Sequence, residues 1–333
     1  MAEKRLIDQR RDAGFSMKIG SPEDGDVKGM LPLGKSMYII KERAIYSVLL
    51  ADAIDPGRTN PDIPHTQQRV LGYGSESQLV GRTLLTAKEL FNENFLPKSF
   101  DRERALIVVL EALKDLADMM EMASEYRAAE QAAIDRFSGQ QHTQGSLEVP
   151  AITGVPGRCK AFIQKGDHVC SALYRLAEFF YGCKIKHCDA LADLCRGKYG
   201  SQDPFAQFIS GILGHLRFVR DARNSFEHEK PNQKCTVTDF SLGARGKIDR
   251  PTMSVTYQER TYPVESVSAV MSQLSELLSE IFERTMAHLC QKHVQSFGGI
   301  PIEVVEWPED QRREKHVRFS YGGRLGGQLA PIS

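Results

Sequence analysis

From Phe100 to Phe137 the chain contains neither glycine nor proline. The two residues that most readily interrupt a helix are missing. Ala105, Val108, Val109, Ala112, Leu113, Leu116 and Met119-Met120 recur along one side. The spacing predicts one long helix, whose apolar stripe needs partners to cover it. Other segments at helical spacing supply them: Ser36 to about Ala53, where Ile39, Ile40, Ala44, Ser47, Val48 and Ala51 recur, Ser77 to Asn92, and then 158–182, 184–196, 203–228 and 264–296. The expected fold class is mainly α, a helical bundle with a small β-hairpin insertion and a short C-terminal β-prone tail.

Breakers divide the chain. Residues 1–33 are charged and punctuated by Gly and Pro, and are expected to be loosely ordered. An N-terminal helical region occupies 34–138. Within it Pro56-Gly57 stops the first helix, and Pro61, Pro64, Gly72 and Gly74 mark a long loop. Residues 139–157 read as a linker. The bundle is placed at 158–296, with a β insertion at 233–262 carrying strand candidates Thr236–Phe240 and Ser254–Tyr257. The tail, 297–333, offers a hairpin from Ile302–Trp307 and His316–Tyr321, and its Gly322–Gly327 run is expected to be flexible.

Composition narrows the class of function. Of 333 residues, 41% are apolar and 26% charged, which suffices for a sizeable core. Lys+Arg and Asp+Glu both number 43, so any nucleic-acid binding must rest on a local basic patch rather than on net charge. Seven cysteines, with no apolar signal run at the start and no 18-residue apolar window, predict reduced thiols, no membrane span and a cytoplasmic location.

The segment 203–228 carries the chemistry. On a helical wheel Phe208, Ile212, His215, Val219, Ala222 and Phe226 form one stripe, expected to face the core, with His215 a hydrogen-bonded core residue. Arg217, Arg220, Asp221, Asn224 and His228 fall opposite, and Arg223 lies to the side. Asn224 and His228 are neighbours at i,i+4. Arg223 and His228, at i,i+5, are about 140° apart on a regular helix. They can share a site only where the helix distorts or where a second copy supplies the complement. Glu229-Lys230-Pro231 ends the helix there, since proline cannot continue it.

Arg223, Asn224 and His228, read as Arg-Asn-x-x-x-His at the end of a long helix, resemble the signature of the HEPN family of helical-bundle proteins, many of which are metal-independent endoribonucleases. The resemblance implies a HEPN-like bundle acting on RNA, with no cofactor and no metal. It also implies a homodimer whose paired motif helices form a composite cleft, and a setting in toxin function, antiviral defence or stress, with an antitoxin or regulatory protein as a further partner. Arg223 would bind the scissile phosphate, His228 would move or orient a proton, and Asn224 would support the site. Arg217 and Arg220 are the candidate substrate-binding residues. The 2′-hydroxyl would attack phosphorus, leaving a 2′,3′-cyclic phosphate. The chemistry suits the residues: a permanent planar cation for a phosphorane, and an imidazole for proton transfer near neutral pH. One family variant carries a modified Tyr two positions after the His, where this chain has Lys230.

Other readings stand beside this one. Arg223 and Glu227 can form a surface ion pair, and His228 can be a helix cap. The whole can be a non-catalytic interaction module that uses its helical faces for a protein partner. Cys183, His187, Cys188 and Cys195 have spacings that could hold zinc, though structural thiols fit such a run better. Arg245, Lys247 and Arg250, and Arg312-Arg313-Glu314-Lys315, are basic clusters able to grip a nucleic-acid backbone.

Overall fold

The computed structural model describes residues 4–13, 16–138, 146–244, 246–325 and 328–332. The Gly326-Gly327 end of the tail, Arg245 and the first part of the expected linker lie outside them. About half the chain is helical and about a fifth is strand. Thirteen strands among the described residues form four antiparallel sheets. The expectation of a mainly α helical bundle is therefore corrected: the protein mixes helices with antiparallel sheets. Two compact units divide it, residues Met1–Leu110 with Val294–Ser333, and residues Glu111–His293.

In the first unit a four-stranded antiparallel sheet runs Val27–Leu33, Ser36–Lys41, Ile45–Leu49, Thr66–Leu71 in that order. The helix expected from Ser36 to Ala53 is thus two strands, and the expected loop before Gly74 carries a third. The i,i+4 recurrences there were coincidental. Ile39, Ile40, Ile45 and Val48 are β-branched and favour a pleated surface, and Lys41 N donates to Ala44 O (2.9 Å) to close a turn between the two strands. Ile39, Ala44, Tyr46 and Val48 form a buried cluster covered by Met17, Ile19 and Met37. Part of the stretch expected to be loose, 27–33, pairs with this sheet, and Leu6–Asp12 is a short helix.

The tail hairpin is present as Ile302–Glu306 against Phe319–Leu325, so the Gly322–Leu325 part of the run expected to be flexible is strand, and Gln328–Pro331 adds a third. Tyr321, fully buried, donates to Leu90 O at 2.6 Å and lies against Phe95. The helical run 78–90 contains a π turn at Gly81–Leu85. A Cβ on Gly81 would fall 2.2 Å from the Cβ of His316, so only glycine permits this approach.

Five long helices are labelled α1 (Arg102–Ser138), α2 (Val155–Tyr181), α3 (Cys188–Tyr199), α4 (Pro204–Glu227) and α5 (Val267–His293). The second unit holds α1 from Glu111 onward and the other four. Each matches a segment with helical spacing, because long periodic runs without breakers leave little choice. α4 starts at Asp203, which accepts from Phe205 N (2.9 Å) and Ala206 N, with Pro204 at the first helical position. α2 packs on α5 and α4, and α3 on α4. The insertion forms a sheet of Gln233–Thr238, Thr252–Tyr257 and Glu265–Ser266, with Arg260–Thr261 paired to the middle strand. This sheet lies on the C-terminal half of α4. No described helix is long and apolar enough to cross a membrane.

Candidate functional site

The insertion's sheet changes which face of α4 is buried. Phe205, Ile209, Ile212, Leu216, Val219 and Ala222 form the buried stripe, while His215 is exposed and Phe208 and Phe226 are half-buried. The expected stripe was displaced around the helix. Toward the C-terminus burial spreads to Asp221 (0% exposed) and Ser225, on the side the wheel left to solvent. Ser225 Oγ donates to Thr256 O at 3.1 Å, so that side is roofed by a strand.

Asp221 is consequently a buried carboxylate, and it is fully paired. Its Oδ1 accepts from Arg220 Nε (3.2 Å), and its Oδ2 accepts from Arg260 Nε (2.8 Å) and Tyr262 OH (2.9 Å). Burial, followed by the hydrogen bond to Asp221, pushes the Tyr262 hydroxyl up to about 12. One turn along the network, Asp189 on α3 accepts from Arg217 Nε (2.8 Å) and Arg220 Nη1 (2.8 Å). Desolvation raises the Asp189 carboxyl, but its bonds to Arg220 and Arg217 outweigh that and hold it at about 2. The two arginines expected to bind substrate are thus committed to carboxylates that tie α3, α4 and the insertion together.

The motif itself sits where α4 ends. His228 N donates to Asn224 O (2.9 Å), and the chain then leaves the helix, with His228 at φ −133°, ψ 63°. The carbonyls freed at a helix end need donors, and Gln233 supplies one. Its Nε2, on a residue 7% exposed, donates to both Asn224 O (2.8 Å) and His228 O (2.7 Å). Backbone bonds between Lys230 and Gln233 in both directions close the intervening turn around Pro231. The side chain of His228 is exposed.

Arg223, its side chain 36% exposed, is held on three sides. Its Nη1 donates to Asn224 Oδ1 (3.1 Å), Nη2 meets Glu227 Oε2 (2.9 Å), and Nε lies 3.8 Å from Asp167 Oδ2 on α2. Gln164 Nε2, also on α2, donates to Glu227 Oε1 at 3.2 Å. Burial raises the Asp167 carboxyl above its usual range, opposed by Arg223. The structure therefore joins Arg223 to Asn224 and contains the Arg223–Glu227 ion pair. It places His228 at the C-cap of α4, where the backbone leaves the helix. Sequence reading missed Asp167, Gln164 and Gln233, and no local signal marks them: each is in a different element from the motif, brought there by packing.

The remaining candidates separate. Arg250 pairs with the buried Glu130 at 3.1 Å, a structural contact. Arg312 Nε donates to Trp307 O at 2.8 Å. His187 caps α3, its Nδ1 accepting from Ala190 N. Cys188 and Cys195 are buried and Cys183 is exposed, and all seven cysteines are free thiols. Among the described residues no three His, Cys, Asp or Glu side chains are grouped so as to hold a metal ion. No protein family, curated protein or solved structure matches the chain.

Proposed function

We propose that the protein is an endoribonuclease of HEPN type, in which Arg223 stabilises the scissile phosphate, Asn224 holds Arg223, and His228 transfers or orients the proton. The 2′-hydroxyl of RNA is the nucleophile, and no residue of the site requires a metal for that chemistry. The observation that carries this reading is the end of α4. The backbone departs from the helix at His228, in a turn clasped by Gln233, and leaves the imidazole exposed one helical turn after Asn224. A homodimer through α4, pairing two such ends, fits the same reading, as does a regulatory protein partner.

A second reading, the non-catalytic interaction module, is favoured by one observation: Arg217 and Arg220 are both paired to Asp189. One experiment separates the two. Wild-type protein, Arg223→Ala and His228→Ala are incubated with single-stranded RNA in EDTA, and the ends are mapped. The nuclease reading expects 2′,3′-cyclic phosphate ends from wild type, a loss of roughly a hundredfold or more in each variant, and no cleavage of the matching DNA. Cleavage that survives both substitutions, or none by the folded wild type, leaves the interaction module.

A further inference from the structure

One guanidinium at the end of α4 faces two carboxylates, and this imbalance bears on how the site admits a phosphate. Arg223 meets Glu227 at 2.9 Å on its own helix and Asp167 at 3.8 Å on α2. With both acids ionised the three-residue cluster is net negative, and a phosphodiester entering it is repelled rather than drawn in. Glu227 is anchored from behind by Gln164, so it stays near Arg223 when a competing anion arrives. Asp167 differs: its contact with Arg223 is a longer ion pair, 3.8 Å against 2.9 Å, and its burial against α4 favours its neutral form.

Resting on the RNA-cleaving reading above, we propose that Asp167 is a proton-operated gate on Arg223: the site accepts a substrate phosphate when Asp167 takes a proton from solvent, leaving Arg223 to divide its donors between Glu227 and the phosphate. The charge ledger closes, since one negative group enters as one is neutralised, and the only bond formed is O–H on Asp167. The groups around Asp167 are few. Arg223 and Glu227 face it from α4, and His168 adjoins it on α2, where the buried Cys170 and the half-buried Tyr174 also lie within its field. Arg223 and His168 favour its ionised form while Glu227 opposes it. Asp167 is thus a positioning residue that acts through Arg223.

The test uses a fluorescent ten-nucleotide 2′-O-methyl RNA, which lacks the nucleophile, with binding measured by anisotropy from pH 5 to pH 8. Asp167→Asn removes the charge and keeps the shape. It is expected to bind about tenfold more tightly than wild type at pH 8, with the advantage shrinking as the pH falls and the wild-type carboxyl takes up its proton. The Asp167→Asn/Arg223→Ala double variant should bind no better than Arg223→Ala alone. Glu227→Gln, which removes the other negative charge, should also tighten binding, and it decides the matter if Asp167→Asn loses its helical circular dichroism. Equal or weaker binding by the folded variants at pH 8, or an advantage that stays flat across the range, overturns the gate. Cleavage of unmodified RNA by wild type is measured in parallel. If it persists, only the gate has failed; if folded wild type neither binds nor cleaves, the RNA-cleaving reading falls and takes the gate with it.

Discussion

Asp221→Ala is the sharpest probe of how the insertion is fastened to α4. The substitution removes the acceptor for Arg220 Nε, Arg260 Nε and Tyr262 OH from a position that is 0% exposed. Removing one partner of a buried ion pair costs about 3–5 kcal/mol, because the other charge is left uncompensated. Two features argue for the lower end. Arg220 retains Asp189, and the Arg260 side chain is 43% exposed and can rehydrate. We therefore expect a loss of about 3 kcal/mol. For a unit the size of residues Glu111–His293 this lowers the midpoint by roughly 6–12 °C, at about 2–4 °C per kcal/mol. The chain's single tryptophan, Trp307, lies in the other unit, so urea and thermal transitions should be followed by helical circular dichroism. Asp221→Asn, which keeps an acceptor oxygen, should fall between wild type and Asp221→Ala. A cycle with Arg260→Ala should show coupling of about 1–2 kcal/mol. If Asp221→Ala lies within about 0.5 kcal/mol of wild type, the carboxylate does not hold the insertion to α4.

Gln233→Ala should cost about 1–2 kcal/mol, since two helix-end carbonyls lose their buried donor. If the clasp sets the direction of His228, RNA cleavage at 25 °C should drop well beyond what the small change in midpoint explains, and an unchanged rate would count against it. His288 gives a pH dependence. Burial first, then the nearby Lys292 and Arg284, lower its folded pKa from 6.5 to about 4. Between those values the unfolded chain binds the proton and the folded one does not, so this stability is present above about pH 6.5 and is lost as the pH falls toward 4. Its ring is half-buried, and the solvent that reaches it reduces the effect to about 1–2 kcal/mol. Urea titrations across that window should show the slope in wild type and a weaker one in His288→Gln; equal slopes would refute it.

How much was legible depended on which force decided each element. α1 to α5 could be read because Gly- and Pro-free amphipathic runs leave one solution, and the hairpins of the insertion and tail announced themselves through β-branched residues flanked by turn formers. Ser36–Leu49 misled because Ile39, Ile40, Ala44 and Val48 fit both periods, and the turn at Glu42-Arg43 contains no glycine or proline to betray it. The end of α4 could be located from Pro231 and the motif spacing. Its surroundings could not. Asp221 looked solvated because the wheel considers one helix alone, whereas Arg260 and Tyr262, from the insertion, bond to it. The same holds for Asp167 and Gln233, whose importance comes from elements remote in the chain.

The first unit is assembled from two segments that flank the second in the chain, while the second is one uninterrupted stretch. On a ribosome the two therefore have different fates. Residues Glu111–His293 emerge complete and can close on their own core while synthesis continues. The helical run 78–90 must wait for its cover, because Tyr321, the ring that seals Leu90 and Phe95, is made only after the whole of the second unit. Throughout that interval Leu90 and Phe95, fully buried in the finished protein, lack that cover, an apolar surface of the kind chaperones recognise. A nascent chain stalled between His293 and Tyr321 would thus carry a finished second unit and an unfinished first one.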